Sequence, residues 1–193
     1  MQKNEKEIKQ DNPAFQYKMG IDLYACKQAY EEGLMWLEKS AKQGYPLAMD
    51  AIGMIYYKKG ELEKAFQYWS RAVEHGLPDA KNNLGWLYYS GEGVKQDLGK
   101  AYKLHAEAAS SNCKDDNVKA EAAKMAAVMS YNGEGTEKSL EQAIDWLKVA
   151  SDLGMLSARI LLQRFEEENL KTPVGRLVSI DNFKLQWEHQ NPN

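Results

Sequence analysis

Residues 93–100, GVKQDLGK, are the part of this chain that comes nearest to a phosphate-binding loop. A P-loop leaves four residues between its first glycine and a Gly-Lys-Ser/Thr triplet, whose hydroxyl holds magnesium. Here five residues separate Gly93 from Gly99, and Ala101 stands where the hydroxyl belongs. The run before Gly93 has helical spacing, not that of a buried strand. The opening of this stretch also has a near copy. YYSGEGVKQD occupies residues 88–97 and SYNGEGTEKS residues 130–139. A Gly-Glu-Gly turn used twice suits two inter-helix corners, where glycine supplies the positive φ that a tight turn needs. No cofactor is expected.

The remaining reactive side chains form no catalytic set. His75, His105 and His189 are scattered, and none lies at ligand spacing from a cysteine. They read as solvated or structural, with His75 placed to interact with a helix C-terminus just before Gly76. Cys26 and Cys113 are 87 residues apart with no CxxC spacing. Neither a metal site nor a disulfide framework is expected, and both thiols should be buried. Ser90, Ser110 and Ser130 lie in no nucleophile-elbow context. Carboxylates alternate with lysines, as in Glu61-Leu62-Glu63-Lys64, the mark of a solvated helix face. The chain is expected to be non-catalytic.

The elements around these residues repeat. The 193 residues carry a net charge of -3 with 27% charged and 44% hydrophobic residues. That balance excludes the basic stripe of a nucleic-acid binder. No apolar run approaches membrane-spanning length. The polar opening MQKNEKEIKQDNPAF has no signal-peptide pattern, so a cytoplasmic location is expected. Ala80, Leu84, Gly85, Tyr88 and Tyr89, then Ala101, Leu104 and Ala108, set a pattern. Ala48, Ile52, Gly53, Tyr56 and Tyr57, then Ala65, Trp69 and Ala72, repeat it upstream. Ala122, Ala126, Ala127, Ser130 and Tyr131, then Ala143, Leu147 and Ala150, repeat it downstream. A looser copy runs through Met19, Gly20, Leu23, Tyr24, Gly33 and Leu37, and a fifth partial copy starts near Ala158.

Apolar and small residues at i, i+4 and i+7 or i+8 make each copy a pair of helices. Asn12-Pro13 predicts a cap followed by a first-turn proline, and Pro46 and Pro78 are expected just ahead of the next two first helices. Ser139 with Gln142 predicts a capping box, and Asp97 a cap for the second helix of the third copy. Gly44, Gly76 and Gly154 are the expected stops. Gly20, Gly53, Gly85 and Ala127 share one face of the first helices, where small side chains let two helices approach. A single pair cannot bury its apolar face alone, so the pairs must stack.

Residues 80–109 resemble the Sel1-like repeat, a relative of the tetratricopeptide repeat, through Ala80, Leu84, Gly85, Tyr88, Gly91, Gly93, Val94, Asp97, Lys100, Ala101, Ala108 and Ala109. The resemblance extends over about residues 13–157. The second copy lacks the Gly-x-Gly turn and has the shorter loop Lys58-Lys59-Gly60, and the fourth replaces Leu-Gly with Ala126-Ala127. The resemblance implies an all-α, right-handed α-solenoid of about four to five helix pairs. The expected layout is a polar lead at 1–12, the solenoid at 13–172 and a C-terminal tail at 173–193. In that tail Phe183, Leu185 and Trp187 alternate, which suits a segment that caps the last repeat or docks on a partner.

By analogy with tetratricopeptide stacks, three positions around each Leu-Gly anchor line a concave groove. They are Tyr17, Asp50, Asn82 and Lys124; Ile21, Met54, Trp86 and Val128; and Tyr24, Tyr57, Tyr89 and Tyr131. The last set puts a tyrosine in every copy, and tyrosine joins apolar area to a polar tip at little entropic cost. The resemblance implies a protein partner, with neither nucleic acid nor membrane. Sel1-like proteins of bacteria serve as signalling adaptors, as secreted host-interacting factors and as immunity proteins that neutralise a toxin. The immunity role suits a small chain with no second domain. A hydrolase would need His paired with a buried carboxylate in the groove. A receptor for C-terminal carboxylates would need a basic cluster, and only Lys124 is basic among the projected positions.

Overall fold

The computed structural model describes residues 11–26, 29–112 and 114–169. The tail with Phe183, Leu185 and Trp187, along with His189 and Cys113, lies outside the described residues. Among those described, the chain is helical and contains no strand. The helices are α1 (Pro13–Ala25), α2 (Tyr30–Lys42), α3 (Pro46–Lys58), α4 (Leu62–Glu74), α5 (Pro78–Ser90), α6 (Leu98–Ala109), α7 (Asp116–Asn132), α8 (Leu140–Asp152) and α9 (Leu156–Asn169). The chain divides after Ala108 into two compact units. The first holds the pairs α1–α2, α3–α4 and α5–α6. The second holds α7–α8 and α9. The α-solenoid class expected from the sequence is the class observed.

Within each pair of the first unit, a glycine of the first helix rests on a bulky side chain of the second. A Cβ on Gly20 would stand 2.6 Å from Leu37, one on Gly53 2.6 Å from the Trp69 indole, and one on Gly85 2.9 Å from the His105 ring. Those three side chains sit at corresponding repeat positions, and all are buried. Ala127 and Leu147 are buried at the same positions in the second unit. In α9 the matching position is Gln163, which is exposed. The fifth copy is therefore a half repeat among the described residues. Ala158 is buried against the stack, while Leu156, Ile160 and Gln163 of the same helix are exposed.

Turns between repeats follow one rule. Tyr45 N–H donates to Ser40 C=O, Leu77 N–H to Ala72 C=O, and Met155 N–H to Ala150 C=O, each after a positive-φ glycine. These are Schellman closures. Pro46 and Pro78 then serve as the first residues of α3 and α5 rather than preceding them. Their missing N–H is one a helix start leaves unpaired anyway. The caps expected at Asn12, Asp97 and Ser139 are formed. Ser139 realises half of a capping box: its Oγ accepts from Gln142 N–H, but the Gln142 side chain turns to Ser130 Oγ instead.

Turns within repeats explain the doubled Gly-Glu-Gly. In the second repeat Glu61 N–H donates to Tyr56 C=O at 2.9 Å. In the third Asp97 N–H donates to Tyr88 C=O at 2.9 Å, and in the fourth Ser139 N–H donates to Ser130 C=O at 2.8 Å. The same closing bond thus joins the same repeat positions, whether the loop is short or carries the Gly-Glu-Gly insertion. Gly93 has φ +67°, and its Cα faces α4 of the preceding repeat so closely that a Cβ would stand 2.6 Å from the Leu62 carbonyl carbon. The insertion leaves the helix pair intact and adds a contact between repeats.

Cys26 corrects one expectation. It is exposed rather than buried, because it lies at the C-cap of α1, beyond the last packed turn.

Gly60 shares the positive φ of Gly93 but has open space around it. Gly60→Ala should cost about 1 kcal/mol, the backbone penalty alone. Gly93→Ala should cost about 1–3 kcal/mol more, since the Leu62 backbone cannot yield. Urea unfolding of the two variants measures the difference, and equal losses would remove the packing role of Gly93.

Candidate protein-binding face

The twelve projected groove residues do not share one environment. Ile21 is exposed. Lys124 is buried and ion-paired to Glu121 one turn back, at 2.7 Å. The others are half-buried. The tyrosine recurring in every copy packs each time on another ring. Tyr24 meets Tyr30 at 5.7 Å, Tyr57 meets Trp69 at 5.6 Å, Tyr89 meets Trp86 at 5.8 Å, and Tyr131 meets Phe165 at 6.2 Å. The position is an aromatic bracket, within its own repeat for Tyr24, Tyr57 and Tyr89 and toward α9 for Tyr131.

A polar row runs along the first helices of the first unit. Asp50 on α3 accepts a hydrogen bond from Asn83 Nδ2 on α5 at 3.1 Å. Sequence reasoning missed Asn83, since it lies one place from the projected position Asn82; the bond crosses between successive first helices. Asn82 Oδ1 in turn accepts from His105 Nδ1 at 2.8 Å. An amide oxygen can only accept, so Nδ1 carries the ring proton. His105 Nε2 is buried with no hydrogen-bond partner, beneath Gly85. The edge of Trp86 closes over the ring at 5.9 Å.

Burial controls the charges in this row. It pushes the Asp50 carboxyl up to about 6, and the nearby charge of Asp79 adds to the effect. Asn83 and the Trp69 N–H act on the same carboxylate in the opposite sense. The Trp69 N–H is buried and completes no hydrogen bond, so its effect on Asp50 is that of a nearby dipole. Full burial pushes His105 down to about 3 and keeps it neutral. Tyr17 is raised by burial and by the charge of Asp50. His105 thus faces an amide rather than a carboxylate, and the acid–base pair that a hydrolase would need is not formed there. His75 lies over Gly44, with its Cε1 3.4 Å from where a Cβ would stand.

This geometry, a glycine-seamed helix pair with a Gly-x-Gly corner, is the one the Sel1 repeat describes. The Sel1 repeat model matches residues 13–45, 46–77, 78–113 and 120–155. The chain belongs to the Sel1 repeat family. Sel1 repeat proteins are in general protein-interaction modules rather than catalysts. The fold is similar to that of c5321, a protective antigen present in uropathogenic Escherichia coli strains displaying an SLR fold, with a TM-score of 0.74 and 22% identity over 86% of this chain and 36% of that one. A Sel1 repeat protein from Oxalobacter formigenes gives a TM-score of 0.70 and 22% identity over 80% of this chain and 63% of its own. Helicobacter pylori cysteine rich protein B gives 0.50 and 24% over 65% and 94%. The chain therefore spans about a third of the first of these and under two thirds of the second. No curated protein matches it. Among the described residues no helix of this Sel1 repeat protein is long and apolar enough to cross a membrane.

Asp50 and His105 give opposite pH slopes. The native state binds a proton at Asp50 up to about pH 6, against an ordinary value of 3.8, so Asp50 adds stability as pH falls through that window. The native state refuses a proton at His105 until about 3, against 6.5, so His105 removes stability as pH falls below 6.5. Asp50→Asn should therefore stabilise at pH 7 by on the order of 1–2 kcal/mol and give no gain at pH 4. His105→Leu, which installs the residue found at Leu37 and Leu147, should flatten the acid loss between pH 6.5 and 4. Thermal unfolding followed by circular dichroism across pH 4–7 reads both. A gain for Asp50→Asn that is equal at both ends would show that its charge is not the cause.

Proposed function

We propose that this chain is a non-catalytic binding module that holds a protein partner on the face formed by its successive first helices. The observation that supports this reading is the row Tyr17, Asp50, Asn82, Asn83 and Trp86. All five are half-buried; Asp50, Asn82 and Asn83 are held by cross-helix hydrogen bonds, and Tyr17 and Trp86 by ring contacts. Fixed rotamers lower the entropy lost on binding, and an aromatic–polar mixture is the composition of interface hot spots. In its specific form the proposal is an immunity protein: it covers the active site of a toxin, and the partner is the toxin itself. Adaptor and host-interacting roles would use the same face on a different partner.

The product of the neighbouring open reading frame, co-expressed with the tagged chain, should co-purify. Replacing Trp86 and Tyr89 together by alanine should weaken that capture by about 30-fold or more, since two aromatic anchors near the centre of an interface carry several kcal/mol. The far-UV circular dichroism should be unchanged. Capture of undiminished strength by the double variant would refute the face, and toxicity left intact in the complex would refute the immunity form.

A further inference from the structure

Several charged and aromatic side chains of this protein are matched within the chain. Lys or Arg lies over the rings of Tyr30, Tyr56, Tyr68, Tyr88 and Tyr131. Lysines pair with Glu61, Asp97, Glu107, Asp116, Glu121 and Asp145. One place on the polar row has no such partner among the described residues. Asp50 has no cationic partner among the described residues; its one hydrogen bond comes from the neutral amide of Asn83. Tyr17, which feels the Asp50 charge, forms a tilted pair with Tyr45, with ring centroids 5.5 Å apart at 49°. No cation lies over either ring among the described residues.

The surroundings favour positive charge. Asp79 on α5 adds a second negative charge felt by both Asp50 and Tyr17. Trp69 is 2% exposed, and its N–H, which acts on the same carboxylate, is buried and completes no hydrogen bond. It favours the ionised form of Asp50 without neutralising it. The groups acting on Asp50 are thus Tyr17 from α1, Asp79 and Asn83 from α5 and Trp69 from α4, with Tyr45 at the start of α3 packed on the Tyr17 ring. None of them is basic.

We propose that Asp50, with the rings of Tyr17 and Tyr45, is the seat for a basic side chain, lysine or arginine, presented by the protein partner. This rests on the protein-binding reading above and gives it a chemistry. The carboxylate supplies the acceptor, and the two rings supply negative π-faces at the reach of an ammonium or guanidinium. A buried carboxylate with a neutral partner costs folding stability, and a docked cation returns it.

The probe is the peptide acetyl-Gly-Arg-Gly-amide, with the citrulline peptide as its neutral isostere. Titration into the full chain, followed by NMR, should shift the Asp50 carboxyl carbon and the Tyr17 and Tyr45 ring signals for the arginine peptide only. Affinity should rise about tenfold from pH 5 to pH 7, as the ionised fraction of Asp50 rises. Asp50→Asn should abolish the shifts, and Asp145→Asn, at a surface carboxylate, should leave them unchanged. Equal response to citrulline, or shifts that survive Asp50→Asn, would overturn the seat. The two readings also fail separately. Partner capture lost in the Trp86/Tyr89 variant but untouched by Asp50→Asn would sink the seat and leave the face. Capture untouched in the Trp86/Tyr89 variant, with the peptide still bound at Asp50, would sink the face and leave the seat.

Discussion

Helix-to-helix contact at a glycine is the constraint on which this structure depends. Gly20, Gly53 and Gly85 each lie on a side chain of the paired helix at a distance that no Cβ could share. The helices of a pair therefore approach until backbone meets side chain, and the pair becomes a thin, rigid plate. Plates of one thickness can be joined by one turn. That is why the closures after Gly44, Gly76 and Gly154 use the same hydrogen bond from residue to residue. It is also why the bond that starts the second helix of the second, third and fourth repeats returns to the same repeat position across a short loop and a long one. Gln163 marks where the need ends: where the described residues supply no second helix to meet, a long polar side chain takes the glycine's place.

The side chain under the glycine then decides what kind of repeat it is. Leu37 and Leu147 are apolar and leave nothing unsatisfied. Trp69 and His105, in the second and third repeats, bring an N–H and a ring nitrogen into the same dry position, and neither atom finds a partner. An unsatisfied buried polar atom costs about 1–3 kcal/mol. Their other contacts suggest what offsets that cost. His105 fixes the Asn82 amide, and Trp69 lies under the Asp50 carboxylate. Both therefore act on the half-buried polar row. A repeat that only had to stack would do better with leucine, so the strain is concentrated under the face proposed to bind.

Much of this was legible in the sequence because it follows local rules. Small residues at the anchor, glycines where φ must be positive, and Asn12, Asp97 and Ser139 as caps are each set by a few neighbouring letters. Pro46 and Pro78 were displaced by one position only, because a proline before a helix and one at its first turn look alike in sequence. Cys26 was misjudged because burial at a helix end depends on where packing stops. Lys124 was projected into the groove by repeat register, but its buried surroundings hold its ammonium against Glu121 on its own helix. The tyrosine of every copy was visible, whereas its ring partners come from four different places in the fold.

The Asp50 cluster was illegible for a different reason. Its members come from α1, α3, α4 and α5, and no periodicity links Tyr17, Tyr45, Asp50, Trp69, Asp79 and Asn83. A repeat alignment compares equivalent positions, and this cluster is built from inequivalent ones. Tyr45 belongs to an inter-repeat turn, Asp79 to the first turn of a helix, and Asn83 to the place beside the aligned one. The stack makes them neighbours because each plate is offset by one repeat from the next. In a solenoid the backbone is nearly the same in every unit. Specificity must then come from what differs between units at their shared edges, and a carboxylate held there by a neutral amide is such a difference.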